Sequence, residues 1–402
     1  MSVEEKARNE PTLHSLGAVP RTVVALGFVS LFMDMSSEII HSLLPVFLAT
    51  VVGASALYIG IIEGIAEAAT PVTKLFSGAM SDWMGKRKPL ILLGYGLAAL
   101  TKPLFPLASG AGMVLVARFV DRVAKGLRGA PRDALVGDWT PKELRATAFG
   151  LRQAMDTVGA FVGPLLAMLL MVASQSDFRL VFWFAVIPAS FTVLIILFGV
   201  KDADGLRSQE RRAFPIRRSE LARLDFAFWG LVGIATVLTL GRFSEAFLLL
   251  LAEHLGLTVA LVPGVLVLMN MVYAASAYPF GRLADRLDRR MLLALGVVFL
   301  IVADLVLATA MSIWQTAVGV ILWGLHMGAT QGLLTTLVID AAPARLRGTA
   351  LGIYNVITGG ALLAASVFAG WLWTTYGPGA TFFAGALFGG IALLGMWSWQ
   401  HS

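Results

Sequence analysis

The sequence predicts a polytopic α-helical membrane protein with twelve transmembrane helices in two pseudo-symmetric six-helix bundles. Composition, long apolar runs and an internal repeat predict this fold class. Apolar residues make up 57% of the 402 residues and charged residues 14%, whereas soluble domains have about 45–50% and about 25%. The apolar residues come in runs of about 20 or more, which is enough for a helix to cross a bilayer core of about 30 Å.

The apolar runs define twelve spans, numbered here in chain order. They cover about residues 21–51, 56–80, 89–108, 112–134, 146–173, 179–200, 226–253, 259–283, 291–311, 313–338, 347–374 and 379–399. A charged stretch separates spans 6 and 7. It predicts an N-terminal segment (1–20), a first six-helix bundle (21–200), a linker (201–225) and a second bundle (226–402).

The distribution of cations predicts the orientation in the membrane. The N-terminal segment, Lys86–Lys88, Lys142–Arg145, the linker, Arg282–Arg290 and Arg345–Arg347 all fall on one side, and the connections on the other side contain only Arg179. Lysine and arginine concentrate in cytoplasmic loops. We therefore expect a multi-pass protein of a bacterial inner (cytoplasmic) membrane with both termini in the cytoplasm.

An internal repeat relates the two halves. The hairpin Gly78–Pro89, which contains Asp82, Gly85 and three adjacent cations, returns 203 residues later (281 − 78) as Gly281–Arg290. The stretch from 128 to 150 also aligns without gaps to 330–352, with matching Asp, Pro, Leu, Arg, Thr, Ala and Gly residues. Two parallel six-helix repeats explain both matches.

These motifs resemble those of the major facilitator superfamily, whose members are twelve-helix secondary transporters. The two hairpins resemble its motif A, Arg118–Gly126 its motif B, and Gly159–Pro164 the motif C that this superfamily associates with antiporters. Two positions depart from motif A, because Trp83 replaces an arginine and Asp288 replaces a glycine. The resemblance implies gating roles for Gly78, Asp82, Gly85, Arg87, Gly159, Gly163, Pro164, Gly281, Asp285, Arg286 and Arg289.

Charged residues inside the first half are candidates for proton coupling. Asp34, Glu38 and His41 lie on one face of span 1, at helical spacing. Intramembrane charges are costly and tend to face a cavity or a partner. Three carboxylates are therefore either proton sites or members of structural ion pairs: Asp34 and Glu38 in span 1 and Asp156 in span 5. Arg152 lies one helical turn before Asp156 and is its expected ion-pair partner.

Span 4 carries a cationic stripe of Arg118, Arg122, Lys125, Arg128 and Arg132. The stripe either binds an anionic substrate or is neutralised in pairs with Asp34, Glu38 and Asp156. Glu63 and Glu67 in span 2 either pair with the cations of span 4 or line the external mouth of the protein, and ion pairs are the favoured interpretation. We expect substrate contacts from His41, Arg118, Arg122, Lys125 and Arg152 in the first half and from Arg242, Glu245, Asn270, Trp323, His326, Gln331 and Asn355 in the second.

No motif for catalysis or phosphate binding is present in the sequence, and there are no cysteines. We expect no enzyme activity, no cofactor, no metal site and no nucleic-acid partner. The sequence predicts a secondary transporter for a small organic, anionic or zwitterionic solute, which is coupled to protons, exports by antiport and acts as a monomer in the bilayer. The alternatives are an importer of an organic anion or metal chelate, and a membrane receptor that does not transport.

Overall fold

The computed structural model describes residues 19–202, 224–343 and 346–399, and every predicted span is helical. Spans 1 and 7 are each built from two helices, and the other spans from one. The helices are Arg21–His41 and Leu44–Thr50 (span 1), Ala56–Met84 (2), Lys88–Thr101 (3), Ala111–Trp139 (4), Arg145–Ala173 (5), Phe178–Gly199 (6), Phe226–Gly241 and Ala246–His254 (7), Pro263–Ala284 (8), Arg289–Ala308 (9), Ile313–Asp340 (10), Arg347–Tyr376 (11) and Pro378–Trp399 (12).

Nine helical segments of the described chain are long and apolar enough to cross a membrane; spans 2, 3 and 4 are the exceptions. The helix of span 3 has only 14 residues. Spans 2 and 4 contain charged residues along their length, including Glu63 and Arg118. Both of those side chains are buried in the bundle, so protein rather than lipid surrounds the two helices at these positions.

The two halves repeat each other in detail. Each begins with a broken helix, in span 1 after His41 and in span 7 after Gly241. An ion pair also repeats at an offset of 202 residues. Arg87 contacts Asp138 at 2.5 Å, and Arg289 contacts Asp340 at 2.6 Å. The predicted internal repeat is therefore visible in side-chain contacts as well as in helix order.

The hairpin between spans 2 and 3 defines one side of the molecule, which we call the linker side because the ends of spans 6 and 7 that flank the linker also lie there. Gly85 ends span 2 with φ +63°, a conformation that favours glycine. Arg87 contacts Asp82 at 3.1 Å in addition to Asp138. Partial burial disfavours its charge, but hydrogen bonds and charges of Asp138 and Asp82 outweigh that effect and raise the pKa of Arg87. Trp83, by contrast, is 80% exposed.

The halves meet most closely where spans 2 and 11 cross. A β-carbon on Gly60 would collide with the backbone of Ser366, and one on Gly370 with the carbonyl oxygen of Ala56. The backbone N–H of Leu57 also donates to the Thr374 hydroxyl at 3.1 Å. These contacts hold the halves together on the side opposite the linker.

Replacing Gly60 by valine should weaken this closed contact, because its side chain has no space against span 11. Overpacking of this kind costs about 1–3 kcal/mol, which corresponds to roughly a 10- to 100-fold shift toward conformations that are open on this side. A single cysteine at Leu250, which lines a pocket of about 360 Å³ there, should then react faster with a maleimide. Gly96→Val is the control, since nothing lies within 4 Å of a β-carbon on Gly96. An equal labelling rate in both variants would contradict the assignment.

The glycines of span 5 pack within the first half. A β-carbon on Gly159 would meet the Leu31 carbonyl, and one on Gly163 would meet the Met35 carbonyl oxygen at 2.8 Å. Close packing through small residues is therefore present, and its partner is span 1. The contact lies inside one bundle rather than between the two, and the gating role of Gly159, Gly163 and Pro164 stays a prediction.

Candidate functional site

A cavity of about 870 Å³ lies between the two halves in their linker-side portion. Spans 1, 2, 4 and 5 form its first wall, and span 8 forms the second. Most of its polar side chains come from the first half. The chemically important lining residues are Asp34, Lys74, Lys125, Arg128, Arg132, Gln153, Asp156, Phe161, Asn270 and Tyr273.

A buried chain of ion pairs lies beyond the cavity toward the opposite side, and we call it the charge ladder (Glu38, His41, Glu63, Glu67, Arg118 and Arg122). Arg118 donates to Glu63 at 2.9 Å, and Arg122 contacts Glu67 at 2.9 Å. His41 lies 3.3 Å from Glu38 and 3.7 Å from Glu63. Glu63 is fully buried and Arg118 is 2% exposed. The sequence singled out every ladder residue, as a site residue or as an ion-pair partner, but none of them lines the cavity.

The cationic stripe of span 4 therefore has two parts, one that forms ion pairs and one that faces the cavity. Arg118 and Arg122 are neutralised by span 2, as the spacing of Glu63 and Glu67 indicated. Lys125, Arg128 and Arg132 lie nearer the linker side and face the cavity. The ion-pair interpretation therefore holds for Arg118 and Arg122, with partners on span 2 rather than on spans 1 and 5. Anion binding by the rest of the stripe stays a prediction.

A second set of ion pairs lies at the junction of spans 4 and 5. Arg152 contacts Asp156 at 2.5 Å and Asp133 at 3.8 Å, and Arg132 lies 3.7 Å from Asp156. Asp156 borders the cavity but has two cations close by. This arrangement favours a structural ion pair for Arg152 and leaves less reason to assign Asp156 a separate proton.

Three cavity cations have no carboxylate within 4.0 Å among the described residues: Lys74, Lys125 and Arg128. The Arg128 guanidinium lies 4.5 Å from the centre of the Tyr95 ring, a cation–π geometry. One of its terminal nitrogens is buried and has no hydrogen-bond partner in the described structure. Arg128 is buried, and a buried charge needs a partner, whereas Lys74 and Lys125 are exposed to the cavity that they line. All three cations are therefore available to an anion in the cavity.

Asp34 is the carboxylate most available to the cavity. It has no ion pair within 4.0 Å in the described part of the chain, and it interacts electrostatically with Lys125, Asp156 and Arg128. Glu38, by contrast, is held by His41 at 3.3 Å. The structure thus distinguishes the two candidates for proton coupling in span 1, which helical spacing alone could not distinguish.

The second half contributes fewer of its predicted residues to the cavity. Asn270 lines it, and Gln331 accepts a hydrogen bond from the cavity residue Tyr273 at 3.2 Å. Trp323 and His326 are fully buried inside the second bundle, where a ring nitrogen of His326 lies 2.8 Å from the Gly296 carbonyl oxygen. Asn355 is exposed and is not among the residues that line the cavity.

The break in span 7 brings two predicted residues to the interface of the halves. Glu245 is close enough to interact electrostatically with His41, Glu38 and Glu67 of the charge ladder. Arg242 and Glu245 form no ion pair within 4.0 Å in the described structure, although they are only three residues apart. One buried terminal nitrogen of Arg242 has no hydrogen-bond partner there.

Sequence reasoning missed two buried charges. Lys102, 1% exposed, donates to Asp121 at 2.9 Å and to the Ser37 hydroxyl at 3.0 Å. Asp304 in span 9 is fully buried, and neither of its oxygens has a hydrogen-bond partner in the described structure. Each is a single charge within an apolar run, and that isolation was the available signal.

A two-fold repeated helical membrane protein with a charged cavity between its halves has the construction of a secondary transporter. The comparisons with known proteins agree. The sequence profile of the Major Facilitator Superfamily matches residues 26–363 and 245–402, and the chain belongs to this family. It is a membrane transporter of that type, as the motifs indicated, and the prediction that it is not an enzyme is confirmed.

Three similar proteins illustrate the match. An uncharacterized MFS-type transporter, MJ1317 of Methanocaldococcus jannaschii, is 32% identical over 93% of this chain and 94% of its own length. The inner membrane transport protein YajR of Escherichia coli is 25% identical over 92% of this chain and 80% of its own. The crystal structure of a mutant of the nucleoside transporter NupG superposes with a TM-score of 0.78 at 11% identity, covering 94% of this chain and 99% of the other.

Proposed function

We propose that the protein is a secondary active transporter that moves a small organic anion or zwitterion across the cytoplasmic membrane by alternating access. The observation that carries this proposal is the group of three cavity cations, Lys74, Lys125 and Arg128, without carboxylate partners in the described structure. The apolar and aromatic lining from Val158, Phe161 and other residues suits the organic part of such a solute.

The cavity and the closed contact of spans 2 and 11 correspond to one state of an alternating-access cycle. The cavity lies in the linker-side portion, and spans 2 and 11 pack most tightly on the opposite side, at Gly60 and Gly370. Because cations concentrate on the linker side, we assign that side to the cytoplasm. The cavity then belongs to a state that exchanges substrate with the cytoplasm, and one chain forms all of it, which supports a functional monomer.

Proton coupling is assigned to Asp34. Its carboxylate borders the cavity without an ion pair in the described part of the chain, next to the cations that would hold the substrate. A proton on Asp34 and an anion on Lys125 change the same local charge, so the two ligands influence each other's binding through electrostatics. Export in exchange for protons is the favoured direction, because Gly159–Pro164 resembles the antiporter motif.

Asp34→Asn should abolish transport driven by a pH gradient and preserve exchange of labelled for unlabelled substrate, because the amide keeps the size of the carboxyl group but carries no exchangeable charge. Reconstituted protein in liposomes gives both rates. The matched control is Asp177→Asn, at an exposed helix start on the opposite side, which should leave both rates unchanged. Gradient-driven transport by Asp34→Asn at the unsubstituted rate would contradict the coupling role.

A thermal-stabilisation screen of the purified protein tests the substrate class. It pairs organic anions, zwitterions and cations of similar size. The proposal predicts stabilisation by members of the first two sets and none by the cations. Stabilisation by cations alone would overturn it. The sign of the pH gradient that drives uptake into liposomes then distinguishes export from the alternative, import.

A further inference from the structure

Asp304 of span 9 is a buried carboxyl group that the cavity does not use. Its side chain is fully buried, and both oxygens lack hydrogen-bond partners among the described residues. The residue lies one helical turn from the end of span 9, at Ala308. An ionised carboxylate without partners is strongly disfavoured in such a place.

The surroundings of Asp304 contain no compensating charge among the described residues. Span 12, which packs against span 9, has no ionisable residue between Pro378 and Trp399. The nearest ionisable side chain on span 10 is His326, which is engaged with Gly296 two turns away along span 9. On span 7 it is Arg242. Neither of these two residues stabilises a charge on Asp304, whose protonation is governed by burial.

Asp304 instead lies near a free backbone carbonyl, and both groups border the space at Gly385. The first helix of span 7 ends at Gly241, and the carbonyl of Gly241 receives no hydrogen bond from the described residues. The Asp304 carboxyl carbon and the Gly241 carbonyl oxygen each lie 3.0 Å from the position that a β-carbon on Gly385 would take. Glycine at 385 therefore leaves open the space that the carboxyl group and the carbonyl both border.

Two acceptors packed together repel unless one of them carries a proton. The end of a helix also bears partial negative charge, which adds to the repulsion of an ionised Asp304. A protonated carboxyl group removes both penalties, because its O–H can donate to the unsatisfied carbonyl.

We propose that Asp304 is a proton-binding site that joins spans 9 and 12 to the end of the first helix of span 7 through an O–H donated to the Gly241 carbonyl. Loss of the proton separates this contact. Because Glu245 follows the same break and faces the charge ladder, the proton on Asp304 is linked to the interface of the two halves. The site is separate from the cavity and does not depend on which solute is transported.

Thiol labelling of the full-length protein in liposomes tests this site. The chain has no cysteine, so a cysteine at Ala365, which lines the crevice between spans 7, 11 and 12 beside Gly385, is a unique reporter. Raising the pH from about 6 to about 9 covers the range in which fully buried carboxyl groups titrate. We expect the labelling rate at this reporter to rise several-fold more than in Asp304→Asn, whose amide is a permanent donor.

The labelling rate of the reporter is divided, at each pH, by the rate of the same reporter in Asp304→Asn. This ratio corrects for the pH dependence of the thiol itself. With Asp177→Asn in place of Asp304→Asn, the pH response should equal that of the unsubstituted protein. The same pH response in Asp304→Asn and the unsubstituted protein would overturn the proposal.

Infrared spectra of the unsubstituted protein provide a test that does not need the variant to fold. With isotope-labelled aspartate, a protonated aspartic acid C=O band from a dry site should be present at neutral pH. Absence of any such band would also overturn the proposal.

Discussion

Replacing Arg118 by methionine is expected to lower the free energy of unfolding by about 3–5 kcal/mol, the usual cost of leaving a buried charge without its partner. Glu63 is fully buried and lies 2.9 Å from the guanidinium of Arg118. Without that arginine, His41 at 3.7 Å is the nearest cation. Thermal unfolding of the purified protein in detergent or lipid measures the effect.

The double variant Arg118→Met with Glu63→Met separates the pair's contribution from that of lost packing. Replacing both partners of a buried pair by apolar groups is often neutral, so the double variant should regain most of the lost stability. Two losses that simply add would show that Arg118 and Glu63 do not depend on each other, and the charge ladder would lose its assigned role.

Lys125→Met should weaken binding of the anion found by the stabilisation screen by about 10- to 100-fold. A hydrogen bond to a charged group contributes about 1.5–3 kcal/mol, and each 1.4 kcal/mol is a factor of about ten in affinity. Lys125 lines the cavity and has no ion pair to break in the described structure. Stability should therefore change little while affinity falls, which calorimetry and thermal unfolding report separately.

Lys142→Met provides the matched control, because Lys142 is exposed in the connection between spans 4 and 5 and does not line the cavity. It should bind the anion as the unsubstituted protein does. Equal affinities in Lys125→Met and Lys142→Met would remove Lys125 from the substrate site.

The fold was predictable from sequence because its determinants are local and repeated. Apolar runs locate the spans, and the Gly78–Pro89 hairpin with its copy fixes the relation of the halves. The spacing of Glu63 and Glu67 correctly indicated ion pairs with span 4. These patterns reflect the cost of charge in a bilayer, which the sequence displays directly.

Which of the predicted residues line the cavity, and which are paired or buried elsewhere, was not predictable in the same way. Helical spacing puts Asp34 and Glu38 on one face, but which of them has a partner depends on neighbouring spans. His41 engages Glu38, and Asp34 is left at the cavity. Spacing likewise placed Trp323 and His326 on a polar face of span 10 without showing that spans 7 and 9 bury them.

The broken helices were missed for a related reason. The sequence shows span 7 as one apolar run with Arg242 and Glu245 inside it, whereas the chain leaves helical geometry between Gly241 and Ala246. That break directs Glu245 to the other half. Asp304 and Gly241 likewise both lie beside Gly385, so this cluster joins residues from three spans, which no pattern along the chain encodes.

Gradient-driven transport in liposomes tests the central claim most directly. The purified protein would be reconstituted with the anion from the stabilisation screen, and movement of the anion and of protons would be followed after a pH gradient is imposed. The account predicts uphill movement of the anion with a matching proton flux. At an anion concentration near the dissociation constant of the unsubstituted protein, both fluxes should fall in Lys125→Met but not in Lys142→Met. Binding of the anion without any flux under either sign of the gradient would contradict it.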